Sequence, residues 1–223
     1  MTYSLSRKND NTPENLSRRE RLNLQQRDEI LETALRLFSE KSYPNVSMHE
    51  IAKKAEFGMG TIYKFFSSKD DLYRSLILQL AERWHHTVLQ ALEQERNPVQ
   101  AIEKCITIHR ELFLDNLPFA RLFLAGTQGG FIDVTAAFQR DLRKFRDEYL
   151  KKLASIFKRG IKANVFRDGD TYHMALALYG IILTFLFRMM EDPAGFGEGE
   201  DLSSARDIFL KGVMRNGEGN RDR

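Results

Sequence analysis

Apolar residues recur every three or four positions along most of the chain, and nowhere do they alternate over a useful length. Helices that bury one stripe leave this mark, so the pattern predicts an all-α protein of about nine helices. Ile30, Leu31, Ala34, Leu35 and Phe38 share a face in a first helix that starts at Gln25 and ends near Tyr43-Pro44. Ser47 opens a second helix, and Glu50 completes an S-x-x-E capping box. Ile51, Ala52 and Ala55 form the buried face of that helix. Gly58 and Gly60 flank the start of a short third helix whose Ile62, Phe65 and Phe66 point inward. Ser68 caps a long fourth helix over residues 69–95, with Asp71 as its box partner. Further helices are expected over 99–116, 118–124, 132–164, 170–190 and 202–214. Loops fall at 126–130 and 193–199, where glycines cluster.

Residues 47–66 thus read as two short helices joined by a tight turn, a pair of the size that fits a DNA major groove. Composition adds to this unevenly. The net charge is only +3, yet within residues 1–27 six basic side chains face three acidic ones. Residues 1–23 are polar and nearly free of apolar period, and are expected to be a mobile basic arm beside the helix pair. The domain boundaries expected from the pattern are a helix-turn-helix domain at 24–84, a larger helical domain at 85–216 and a disordered tail at 217–223. One cysteine, Cys105, excludes an intrachain disulfide, and the N-terminus has no apolar signal region, so a cytoplasmic protein is expected.

The residues now match a known family. The first helix together with SMHEIAKKAEFGMGTIYKFFSSKDDLY resembles the DNA-binding domain of the tetracycline-repressor (TetR) family of bacterial regulators. The matching positions are Ile30-Leu31, Ala34 and Leu37-Phe38, then Ile51-Ala52, Ala55, Gly60-Thr61-Ile62-Tyr63, Phe66, Ser68-Lys69 and Leu72. The likeness covers residues 24–84; beyond them only helix number and length are alike. Glu56 and Phe57 stand where the family has a glycine and a small apolar residue, and Gly58 stands where a Ser or Thr caps the third helix.

The resemblance implies phosphate contacts from Tyr63 and Lys64, and places Met59, Gly60 and Thr61 near base edges, with Arg27 and Met48 completing the DNA-facing set. Ser47 and Lys69 lie at helix N-termini, where free backbone N–H groups bind phosphates. A cation in that first turn costs roughly 0.3–1 kcal/mol, which a phosphate beside Lys69 would reverse. Arg18, Arg19 and Arg21 add phosphate affinity or enter a minor groove.

In the C-terminal half, Met174 to Phe187 is apolar on every side apart from Gly180 and Thr184. Its fourteen residues fall short of the roughly twenty that cross a membrane, so no membrane partner is expected. Such a helix must be covered all round, and an identical subunit is the economical cover. The resemblance gives the same homodimer through helices eight and nine, with Tyr172, Leu176, Gly180, Leu202, Ile208 and Phe209 at the interface. It also implies an effector cavity, for which Trp84, Val88, Cys105, His109, Phe113, Phe123, Tyr149, Tyr179 and Leu183 are the candidate lining. Each of these is equally an ordinary core residue.

Cys105 and His109 lie four apart, but two ligands without a third make no metal site, and His85 and His86 diverge by about 100°. No cofactor is expected. No nucleophile elbow, phosphate loop, dinucleotide fingerprint or H-E-x-x-H occurs, so the chain is expected not to be an enzyme. The combined expectation is a ligand-responsive, homodimeric DNA-binding repressor, released from a near-palindromic operator by a small hydrophobic effector. Two alternatives stay open: an activator or corepressor-dependent regulator of this fold, and a helical lipid- or protein-binding module that does not bind DNA.

Overall fold

Side-chain caps at Ser17, Ser47, Ser68, Asn97 and Asp170 start five of the helices. The computed structural model describes residues 17–128, 136–191 and 201–215, and among them the chain forms nine α-helices and no strand. They are α1 (Arg18–Lys41), α2 (Met48–Lys54), α3 (Met59–Phe65), α4 (Lys69–Glu93), α5 (Pro98–Asp115), α6 (Leu117–Gln128), α7 (Ala136–Lys162), α8 (Thr171–Glu191) and α9 (Asp201–Val213). A 3-10 turn, Tyr43–Asn45, links α1 to α2.

Several ends differ from the sequence expectation. The Ser17 hydroxyl accepts the Glu20 N–H at 3.3 Å while the Glu20 carboxylate accepts the Ser17 N–H at 2.8 Å, a reciprocal box that starts α1 well before Gln25. Residues 18–23, expected in the arm, are therefore helical; residues 1–16 and 217–223 lie outside the described residues. Ser47 does cap α2 by accepting the Glu50 N–H at 3.1 Å, but the Glu50 carboxylate turns to Lys41 instead of completing the box. Ser68 likewise accepts the Asp71 N–H at 3.1 Å, while the Asp71 carboxylate takes the N–H of Ser67, one residue early. Gly126 to Gln128, expected in a loop, close α6 as helix. Gly129, Gly130 and the loop at 193–199 lie outside the described residues.

Packing divides the chain into two units, one of residues 1–79 with 118–134 and one of 80–117 with 135–223. The division falls inside α4, and α6 groups with the first unit. In the first unit Ile30, Leu31, Ala34 and Phe38 of α1 meet a core of Ile51, Ile62, Phe66, Leu72 and Leu76, all essentially inaccessible. Phe38, Tyr43 and Tyr73 close it as a triangle of rings with centroids 4.9 to 5.5 Å apart. The Tyr73 hydroxyl donates to the Leu122 carbonyl of α6 at 3.4 Å.

The second unit packs α7 on α8, α8 on α9, and α5 on α7, α8 and α9. Its core includes Ile102, Cys105, Leu153, Ile156, Phe157, Ala175, Leu178, Ile182 and Ala205, each fully buried. Between α7 and α8 the chain reverses at Asn164, whose φ of 58° is left-handed, and Val165 and Phe166 donate to the Gly160 carbonyl at 2.9 and 3.2 Å. The Phe166 ring then lies directly over Gly160. Arg167 donates to Val213 and Arg215 to Val165, so the end of α9 is stitched to this reversal.

Helix α8 corrects one argument from sequence. It is 21 residues long with a mean hydropathy of 1.6 over its most apolar window, enough by length and composition to span a bilayer. Length therefore does not exclude that reading, and a third of that window is buried within the chain, with Met174, Ala175, Leu178, Ile182, Leu186 and Met189 turned inward. The helix is also not covered all round. Tyr172, Leu176, Gly180 and Thr184 recur every fourth residue along an exposed face.

Candidate nucleic-acid interface and effector core

The helix-turn-helix is held by backbone and core contacts that leave one side of α3 outside. Ile62 and Phe66 are buried, while Tyr63 is 53 % exposed and Lys64 and Gly60 are exposed. Met48, Met59 and Thr61 are half-buried, and Ser47 is exposed at the α2 terminus. A Cβ built on Gly60 meets nothing within 4 Å, so no internal contact requires a glycine there. Phe65, expected to point inward, is only half-buried and carries the Lys64 ammonium 4.8 Å from its ring centroid. That ammonium also donates to Asn23 Oδ1 of α1 at 2.6 Å. Ser47, Met48, Met59, Gly60, Thr61, Tyr63 and Lys64 thus all sit on the helix pair with some or all of their surface accessible.

Two candidate residues are placed differently. Lys69 Nζ donates to the carbonyls of Tyr43, Val46 and Pro44 at 3.0, 2.9 and 3.4 Å, and lies 4.4 Å from the Tyr43 ring centroid. An ammonium has three N–H groups, so these contacts use it fully. The cost of a cation in the first turn of α4 is met by carbonyl oxygens and a ring, and Lys69 is a clamp on the 3-10 turn rather than a free phosphate ligand. Arg27 is also committed inward. Its Nη1 donates to Gln79 Oε1 at 2.9 Å, and its guanidinium carbon lies 5.3 Å from the Phe66 centroid.

The turn itself carries strain. Glu56 has a φ of 58°, in the left-handed region where a Cβ is unfavourable by roughly 1–2 kcal/mol. Gly58 follows with ordinary φ and caps α3 through backbone geometry alone. A glycine at position 56 removes the strain; Glu56→Gly is expected to stabilise the first unit by about 1 kcal/mol in urea unfolding. A loss of stability would show that the Glu56 side chain contributes more than its backbone costs.

In the second unit, most of the candidate effector lining converges. Trp84 and His109 have centroids 6.1 Å apart, His109 and Tyr149 5.4 Å, and Tyr149 and Tyr179 5.9 Å. Cys105 Sγ lies 3.0 Å from the Tyr149 hydroxyl. Val88 and Phe113 are buried, Trp84, Tyr179 and Leu183 half-buried, and the side chain of Phe123 lies outside the described residues.

Burial keeps every titratable member neutral. It pushes the Cys105 thiol up to about 12, against a lowering hydrogen bond from Tyr149, and raises Tyr149 well above the usual phenol range. It depresses His109 to about 4, opposed by the bond to the Cys105 carbonyl. A neutral imidazole 2.7 Å from a carbonyl oxygen must donate through Nδ1, which leaves Nε2 as an acceptor. Among the described residues no group of three or more His, Cys, Asp or Glu is placed to hold a metal ion.

The expected dimer residues split by exposure. Tyr172 is 45 %, Leu176 46 % and Ile208 62 % exposed, and a Cβ on Gly180 meets nothing within 4 Å. Leu202 and Phe209 are instead buried in their own chain, Phe209 with its centroid 5.7 Å from that of Phe157. Both lie on the side of α9 that meets the second unit's core, about 100° or more around the helix from Ile208. A period-3.6 reading identified apolar residues of α9 without telling its two faces apart.

Residues 30–76 match the model of bacterial regulatory proteins of the tetR family. Over 122 residues the chain is 29 % identical to YuxN of Bacillus subtilis (strain 168), an uncharacterized HTH-type transcriptional regulator; the match covers 55 % of this chain and 41 % of YuxN. The fold is similar to that of PfmR, a TetR family regulator from Thermus thermophilus, with a TM-score of 0.68 and 25 % identity over 85 % of this chain and 98 % of the other. It is also similar to FadR from Bacillus subtilis, solved in complex with stearoyl-CoA, with a TM-score of 0.65 and 20 % identity over 82 % of this chain and 95 % of that one. With a tetR-type helix-turn-helix over residues 30–76 and helices through the rest of the described residues, the protein is a TetR-like regulator.

Proposed function

We propose that the chain is a homodimeric repressor that binds a near-palindromic operator and leaves it when a small, largely apolar effector enters the second unit. The observation that carries the DNA-binding reading is the outer side of α3: exposed Tyr63, Lys64 and Gly60, on a helix whose other side is locked into the core by Ile62 and Phe66. Tyr63 and Lys64 suit phosphate contacts, and Gly60 lets the backbone approach base edges, with Met59 and Thr61 beside it. Two such helices in a dimer would read major grooves about 34–36 Å apart. The exposed α8 face, with Ile208 of α9, offers the apolar seam for that dimer.

The neutrality of the Cys105, His109, Tyr149 and Tyr179 cluster favours an effector whose buried part bears no charge, such as an acyl chain or an aromatic drug. The stearoyl-CoA bound by FadR is a ligand of the first kind. Because α4 belongs to both units, a shift in its second half on binding is the route by which the separation of the recognition helices would change. A protein that reads chromosomal operators works in the cytoplasm.

The test is a gel shift with duplexes selected from a random pool, repeated at several salt concentrations. A specific complex that persists as salt rises supports the proposal; weak binding that is equal for all sequences would overturn it. Gly60→Ala refines the result. The added methyl fits the free fold and replaces a glycine in a helix, so stability should hold or rise by up to about 0.5 kcal/mol. Operator affinity should nevertheless fall at least about tenfold if the backbone approaches base edges there, the cost of about 1.4 kcal/mol that one close contact represents.

A further inference from the structure

We infer that Arg19 is a further DNA-contacting residue, which makes the first two turns of α1 a rigid phosphate-gripping element beside α3. The inference rests on the DNA-binding reading above and concerns a part of the chain outside the helix-turn-helix.

Three observations converge on it. First, α1 meets the end of α3 along one face: Asn23 receives the Lys64 ammonium at 2.6 Å, and one turn on, Arg27 lies over Phe66. Arg19 occupies the next position of the same i, i+4, i+8 row, about 6 Å along the axis from Asn23 toward the helix start. Arg18 and Arg21 lie at least about 120° around the helix from both Asn23 and Arg27. They therefore point away from α3.

Second, the row is ordered where the sequence suggests a loose arm. The Ser17–Glu20 box fixes the first turn, and its carboxylate is taken up by the N–H and hydroxyl of Ser17 at 2.8 and 2.7 Å. Glu20, the acid next to Arg19 in sequence, is thus spent on the cap, and among the described residues Arg19 has no ion-pair partner. Third, Arg19 is exposed in the first turn of a helix, where the macrodipole disfavours a cation and favours an anion brought against it. A guanidinium there matches a phosphate bidentately, in line with the phosphate that Lys64 would hold. Asn23 becomes a positioning residue: it orients the Lys64 ammonium between the two helices.

The experiment is fluorescence anisotropy of the full chain with a selected operator duplex over a salt series. Each phosphate contact contributes about 0.9 to the slope of log affinity against log salt, so Arg19→Ala, which removes one contact per subunit, should reduce the slope of a dimer by about 1.8. Arg19→Glu should weaken binding further. Arg18→Ala and Arg21→Ala should leave the slope near that of the unaltered chain, and all four variants should melt like it, since none touches the core. The inference is overturned if Arg19→Ala keeps the full slope, or if Arg18→Ala and Arg21→Ala reduce it equally, which would mark diffuse charge in place of a defined contact. If the unaltered chain forms no specific complex with any selected duplex, the regulator reading itself has failed, and that result is visible before any variant is measured.

Discussion

Gly160→Ala is expected to destabilise the second unit by about 2 to 3 kcal/mol, a large share of the 5–15 kcal/mol that usually holds a domain folded. A Cβ at this position would lie 2.1 and 2.4 Å from two carbons of the Phe166 ring, far inside any tolerable contact. The ring cannot easily swing aside, because Phe166 is fully buried and packs at 5.5 Å, centroid to centroid, on Phe157, which packs in turn on Phe209. The backbone cannot easily retreat either, since the Gly160 carbonyl accepts two N–H groups from the reversal it faces. The gain from placing alanine in a helix, up to about 1 kcal/mol, offsets only part of this. Urea unfolding measures the difference, with Gly212→Ala as control: its Cβ meets nothing, so it should be close to neutral. A Gly160→Ala midpoint equal to that of the unaltered chain would mean that the reversal repacks freely, contrary to the packing described.

In the proposed homodimer, Leu176→Asp should yield a folded monomer whose operator affinity is lower by at least about 100-fold. Leu176 is 46 % exposed, with Tyr172 and Gly180 one turn to either side, so a carboxylate there is solvated in the free subunit and stability should fall by only about 1 kcal/mol. Across a two-fold seam the same substitution places two carboxylates in an apolar interface, where neither finds a partner. The loss in affinity follows from linkage: two half-sites engaged together gain a factor of about 10² to 10⁴ over one. Sedimentation and the operator shift read the two effects separately. A variant that stays dimeric would move the interface elsewhere, and a monomer that binds as tightly as the dimer would remove the need for a palindrome.

How much of this was legible in the sequence follows from what periodicity encodes. The helices and the buried set Ile30, Ala34, Ile51, Ile62 and Phe66 are readable because a repeat near 3.6 marks a face, and Gly60-Thr61-Ile62-Tyr63 stands out through its resemblance to the TetR family pattern. Partners were not readable. Lys69 looks like any lysine at a helix start until the fold carries three carbonyls from the preceding turn to it. Glu50 and Asp71 sat at the right spacing for capping boxes, but a nearby lysine and an adjacent serine held the carboxylates elsewhere. Leu202 and Phe209 could not be told from Ile208 because all three are apolar on one short helix, and only the position of the α5–α7–α8 core decides which are covered. The extension of α1 to Arg18 escapes the periodicity for a different reason: its early turns bury almost nothing, and only the Ser17–Glu20 pair announces them.

The buried thiol has a practical bearing on all these experiments. Cys105 is the only cysteine in the chain, it is inaccessible, and with its ionisation pushed to about 12 it holds almost no thiolate at neutral pH. Maleimides and other thiol reagents should pass it by in the folded protein. The natural chain is therefore a silent background for site-directed labelling: a single cysteine placed on the outer side of α3 carries a spin label or dye in each subunit of the proposed dimer. The distance between the two labels, followed as candidate effectors are added, reports directly on whether the recognition helices move apart.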